Sequence, residues 1–275
     1  MVWSGNWMLN HNFISCYHNA RLMQFETAIM ATLLICIIIF GLAFWRSVFD
    51  PPGLAAAFSI GFIIGVMGDV SWLLVLLIFM VMSFIATKYK FALKEAKGIQ
   101  EGSRGERSAS SVLATGLVPA AIAFMSSPMV GSPISTELSG VLFLSAISVA
   151  ASDTLASEMG MLARHPPRLI TTFKRVPAGT DGGVSPFGTA WALAGAFVVG
   201  LLGWLFLRAF SDTVPMDFWD IILITCAGFL GCNIDSILGA TLERKGFIGK
   251  HFVNGASIAA GVVVSWYILT QRFFW

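Results

Sequence analysis

Residues 54–87 read LAAAFSIGFIIGVMGDVSWLLVLLIFMVMSFIAT, and the one charge among them is Asp69. As a single helix these 34 residues would extend about 51 Å, against a bilayer hydrocarbon core of about 30 Å. At the centre stands Gly65-Val66-Met67-Gly68-Asp69, where two glycines let the backbone turn with little strain. The stretch therefore predicts two helices, 54–67 and 70–87, packed as a hairpin.

Outward from this hairpin the pattern repeats. Further apolar runs cover 25–45, 111–130, 138–162, 188–210, 219–241 and 252–270, which gives eight segments, or seven if 54–87 is undivided. The expected fold is all-α, a polytopic transmembrane helical bundle of seven or eight spans. Composition agrees: the 275 residues are 56% hydrophobic and 12% charged, about half the charge of a soluble domain. Residues 25–275 read as one transmembrane domain. Residues 1–24, with Trp3, Trp7, His11, Tyr17, His18 and Arg21, read as an interfacial lead-in, since no basic n-region with a small-residue cleavage site is present. The four cysteines, Cys16, Cys36, Cys226 and Cys232, form no CxxC pair and suit buried apolar positions better than a disulfide framework or metal site.

Basic residues give the topology. Segment 88–110 carries six, 164–186 carries four and 243–251 carries three of the seventeen in the chain. Segment 131–137 has none, and 208–220 has only Arg208 beside Asp212, Asp217 and Asp220. Alternation puts the three basic loops on one side, which the positive-inside rule makes cytosolic.

Three constellations carry chemistry. The first is Ser152-Asp153-Thr154-Leu155-Ala156-Ser157-Glu158, near the loop end of a membrane helix. Asp153 and Glu158 lie about 140° apart around a helix, so they reach one ion only if the helix ends or unwinds. The second is Lys174-Arg175-Val176-Pro177-Ala178-Gly179-Thr180-Asp181-Gly182-Gly183-Val184-Ser185. Its glycines permit close backbone approach to phosphate oxygens and its cations neutralise them, while Asp181 in so basic a setting suggests a metal ligand. No Walker A lysine is present. The third is the stripe Gly228, Gly231, Cys232, Asp235, Gly239, in which Asp235 points into the bundle. Each has a structural alternative: interhelical hydrogen bonds for Asp153, Glu158 and Asp235, and a solvated loop for 174–185. Asp153-Thr154-Leu155 and Asp235-Ser236-Ile237 also echo each other as parallel repeats would, or as small-residue packing would. Lys88, Lys90, Arg104, Arg107 and Asn254 join a site only if their loops converge with the carboxylates.

At these constellations the sequence resembles the integral-membrane family that includes the plant phytyl-phosphate kinase and animal transmembrane protein 19. The matching stretches are Ala86 to Lys90, Arg104 to Gly116, Ser152 to Glu158, Thr171 to Ser185, Asp235 to Ala240 and Val253-Asn254. Thr115-Gly116 stands where an asparagine-glycine pair is expected, and residues 1–24 match nothing in the family. The resemblance implies transfer of a phosphoryl group from a nucleoside triphosphate such as CTP to an isoprenoid or phytyl monophosphate. The residues are compatible with it. Asp153, Glu158, Asp181 and Asp235 would hold Mg²⁺. Lys174, Arg175, Gly179, Thr180, Gly182, Gly183 and Ser185, with Lys88, Arg107 and Asn254, would hold phosphates. The expected partners are nucleotide, lipid phosphate and bilayer, with no nucleic acid and the oligomeric state left open. A nucleotidyltransferase and a transporter remain the alternatives.

Overall fold

The computed structural model describes residues 5–132, 134–210 and 216–272; the side chains of residues 1–24, and Asp212, lie outside what it describes. Its helices are α1 (Gly5–Trp45), α2 (Pro51–Ile63), α3 (Val70–Lys88), α4 (Phe91–Ala96), α5 (Ala109–Ser126), α6 (Thr136–Gly160), α7 (Pro186–Phe210), α8 (Phe218–Leu238) and α9 (Lys250–Arg272). Among the described residues eight helical segments are long and apolar enough to cross a membrane. The chain is an integral, multi-pass membrane protein.

The break in 54–87 falls where the glycines and Asp69 predict it. After Ile63 the helix widens into a π-turn over Ile64–Gly68. Asp69 is then extended, and its carboxylate accepts the Ser71 N–H at 2.7 Å, capping α3. Both ends of the hairpin reach the same end of the bundle. Asp50 N–H donates to Arg107 O at 3.2 Å, and Lys88 Nζ donates to Arg104 O.

Helix α6 is the hub, buried along nearly all of its length, with α3, α5, α7, α8 and α9 packed around it. A polar stripe along it would be costly in lipid unless bonded. Ser145 pairs with Ser265 at 2.8 Å, Ser148 donates to Ile224 O at 3.0 Å, and Ser152 donates to Ala192 O at 3.0 Å. Close approach depends on small residues: a Cβ on Gly228 would meet Ala196 Cβ at 2.9 Å, and Val149 fills the notch left by Gly231 and Gly261.

The three basic loops gather at one end. Lys250 Nζ lies 3.6 Å from Glu101 Oε2, and Ser110 bonds His251 Nε2 at 3.0 Å. Loop 161–185 is fixed by a short antiparallel pair, β1 (Arg168–Leu169) with β2 (Gly183–Val184). Glu106 organises the loop after α4. It accepts from Ser103 Oγ at 2.6 Å and from the Arg104 N–H at 2.5 Å. The Ser103 hydroxyl, then the backbone N–H donors, hold its carboxyl well below the usual range, at about 2.

Candidate active site

At the loop end the helices splay around a cavity of about 340 Å³. Asp153 comes from α6, and Asn233 and Asp235 from α8. Glu243 follows in a π-turn, Gly239–Glu243, that extends α8. Lys250 and Asn254 come from α9, and loop 178–185 closes the side with Gly179, Thr180, Asp181, Gly182, Gly183 and Ser185. The Asp153 and Asp235 carboxyl groups are within hydrogen-bonding reach of each other, and Ser257 Oγ donates to Asp235 Oδ2 at 3.0 Å. Lys250, and behind it Arg107, attract the Asp153 carboxylate, and Glu243 bears on Asp181.

The loop lies tight against α8 for a local reason. Gly182 has φ +73°, and a Cβ there would lie 2.6 Å from both Ser236 O and Ala240 N. Gly239 faces it, with its own notional Cβ 3.1 Å from Gly182 N. Two glycines thus let loop and helix backbones meet beside Asp181.

Not every residue the sequence nominated arrives here as expected. Glu158 forms part of the cavity wall, but both its oxygens are engaged. Thr87 Oγ1 donates to Oε1 at 2.9 Å and Lys94 Nζ to Oε2 at 2.6 Å. Helix α6 runs unbroken to Gly160, so the angular separation stands: Asp153 turns to α8 while Glu158 turns to α3 and α4. Lys174 and Arg175 are exposed on the far side of the hairpin turn, outside the cavity wall, where Lys174 O accepts from Leu169 N–H. Lys88 is drawn to Arg104 O, and Arg107 lines a separate small apolar pocket of about 60 Å³ between α1, α2, α3 and α5.

The family profile described as Integral membrane protein DUF92 matches residues 34–270. The chain belongs to this family. Among similar proteins, an uncharacterized membrane protein of Methanocaldococcus jannaschii is 34% identical over 238 residues, covering 85% of this chain and 91% of that one. The protein VTE6, chloroplastic, of Arabidopsis thaliana is 34% identical over 225 residues, covering 80% of this chain and 65% of that one. An uncharacterized membrane protein of Synechocystis is 32% identical over 227 residues, 80% and 82% of the two chains. No solved structure matches.

In this member of the DUF92 family the cavity also holds residues that sequence reading passed over. Lys250 counted only as a topological charge, although it stands four residues before Asn254, one helical turn away. Glu101 had no signal at all; it enters through its ion pair with Lys250. Among the described residues no three acidic, histidine or cysteine side chains form a ready-made metal site. Mg²⁺ asks for less: it keeps several waters and takes one or two carboxylates together with substrate phosphates. The donors fit it. They are hard oxygens, Asp153 and Asp235 sit close enough to repel when both are charged, and Gln100 Oε1, also on the cavity wall, is buried without a partner among the described residues.

Proposed function

We propose that this protein is a membrane lipid-phosphate kinase that transfers a phosphoryl group from a nucleoside triphosphate to an isoprenoid or phytyl monophosphate, with Mg²⁺. The observation that carries the reading is the pair Asp153–Asp235 beside a glycine-lined loop at the end of a membrane bundle. Family membership and the motifs that carry the resemblance support it. A transporter would place its acids nearer mid-depth; here they sit beside the loops.

The acceptor is already an anion, so no strong base is needed. A phosphate oxygen of the lipid attacks the γ-phosphorus, the bond to the bridging oxygen breaks, and the nucleoside diphosphate leaves with that electron pair. Catalysis is positioning and charge neutralisation. Asp153 and Asp235 are the pair that would hold Mg²⁺, with Asp181 on the facing loop, and the ion when bound would offset charge on the donor phosphates. Lys250 neutralises phosphate oxygens from the α9 side, and Asn254 stands one turn deeper. The backbone of Gly179, Gly182 and Gly183 lets the nucleotide approach closely. Glu158 is left out of the ligand set because Lys94 and Thr87 occupy it.

The purified protein, given Mg²⁺, a panel of nucleoside triphosphates and phytyl or polyprenyl monophosphate, should yield lipid diphosphate and nucleoside diphosphate. Pyrophosphate as the product would instead indicate a nucleotidyltransferase. No turnover, with substrate-dependent flux in proteoliposomes, would indicate transport. The same reading puts the cavity on the cytosolic side. Single cysteines placed in 88–110, 164–186 and 243–251 of a cysteine-free variant should resist an impermeant thiol reagent on intact cells, and rapid labelling from outside would invert the topology.

A further inference from the structure

A second, larger cleft adjoins the acidic cavity. It runs between α3, α6 and α7 and encloses about 950 Å³, at the upper end of the roughly 300–1,000 Å³ that ligand sites occupy. Its floor is Leu155 and Met159 of α6, and its sides are Met82 and Ile85 of α3 and Phe187 and Trp191 of α7. At the loop end this apolar trough changes character abruptly. Lys90, Arg164 and His165 stand at its mouth, and among the described residues no aspartate or glutamate lines it.

Two further observations tie the mouth to the chemistry. Ser185 lines both the cleft and the acidic cavity, so a single side chain borders the two spaces. Lys90 adopts φ +51° and ψ +37°, a left-handed conformation rare outside glycine, at the start of α4. Four residues on, Lys94 is buried against Ala86 O, Thr87 O and Glu158, which ties α4 to α3 and α6. The charges are also sorted between the two spaces. The acidic cavity, with Asp153, Asp181, Asp235 and Glu243, suits a cation with a triphosphate. The cleft mouth, with Lys90 and Arg164 beside a histidine, suits a bare phosphate on an apolar tail.

We propose that the α3–α6–α7 cleft holds the isoprenoid tail of the lipid monophosphate acceptor, and that Lys90, Arg164 and His165 hold its phosphate against the acidic cavity at Ser185. This assignment deepens the kinase reading and rests on it for the direction of transfer, but not for the binding itself. The small pocket near Arg107, at about 60 Å³, has no room for such a tail. Ordinary bilayer phospholipid is the competing occupant.

The test is photolabelling of the full-length protein in nanodiscs with a phytyl monophosphate carrying a diazirine on its tail, with the labelled residues mapped by mass spectrometry. Label should fall on 82–90, 155–165 and 185–191. Excess unlabelled phytyl monophosphate should compete it away, while inorganic phosphate and phosphatidylcholine should not. Lys90→Ala with Arg164→Ala should reduce labelling at least tenfold and leave nucleotide binding unchanged. Label spread over the lipid-facing sides of α1 and α9, or competed equally by phosphatidylcholine, overturns the cleft as the acceptor site. Turnover with label elsewhere would keep the kinase and reject the cleft. Label in the cleft without any turnover would keep the cleft and reject the kinase.

Discussion

Asp153→Asn and Asp235→Asn should each lower turnover by about 10²- to 10³-fold, the range seen when one preorganised charge-stabilising group is removed from an active site. Folding should survive both. The two carboxyl groups face each other across α6 and α8 within hydrogen-bonding reach, so with both ionised and no cation between them they repel, and an asparagine in place of either removes that repulsion. Ser257 still donates to position 235, because an asparagine side-chain oxygen accepts as a carboxylate oxygen does. The measurement is a pair of readings on each variant, melting temperature in detergent and Mg²⁺-dependent nucleotide turnover. Melting at or slightly above that of the unmodified protein with turnover lost is the expected result. A variant that failed to fold, or one that turned over normally, would return Asp153 and Asp235 to the role of interhelical hydrogen-bond partners.

How much of this was legible in the sequence depended on whether a residue's role was set by its own helix or by a neighbour. The α2–α3 hairpin was legible because 54–87 is too long for a bilayer and Gly68-Asp69 supplies the break. The gathering of the basic loops at one end followed from alternation alone. The meeting of Asp153 and Asp235 was half-visible, since both ended similar segments on helices running the same way. Glu158 was different. Its angle from Asp153 was readable, but its partner was not: Lys94 looked like one more charge in a basic loop, and only the fold carries it into the interior. For Lys174 and Arg175, adjacency in sequence did not give their position. They neighbour the glycine loop in sequence, yet the hairpin that brings Gly182 to α8 leaves them exposed on its outer turn.

Glu158 and Lys94 should show the opposite behaviour to the aspartates. Lys94 is 1% exposed, and its ammonium has three donors for three acceptors: Ala86 O at 2.8 Å, Thr87 O at 3.2 Å and Glu158 Oε2 at 2.6 Å. The glutamate's other oxygen accepts from Thr87. A buried pair this well satisfied adds little over an apolar pair of similar volume, but removing one member strands the other in a medium that solvates it poorly. That costs about 3–5 kcal/mol. Lys94→Met should therefore lower stability by about that amount, measured by unfolding in detergent micelles. Lys94→Met combined with Glu158→Leu should recover most of the loss, leaving the deficit of the Thr87 hydroxyl and the two carbonyls, which lose their partner. The same comparison tests whether Glu158 belongs among the metal ligands. If Glu158→Gln melted normally while Mg²⁺-dependent turnover vanished, its carboxylate would be serving the cation and the ion pair would be incidental. If it melted low and retained turnover in the folded fraction, its work would be to anchor the α4 segment, and with it Lys90, against α6.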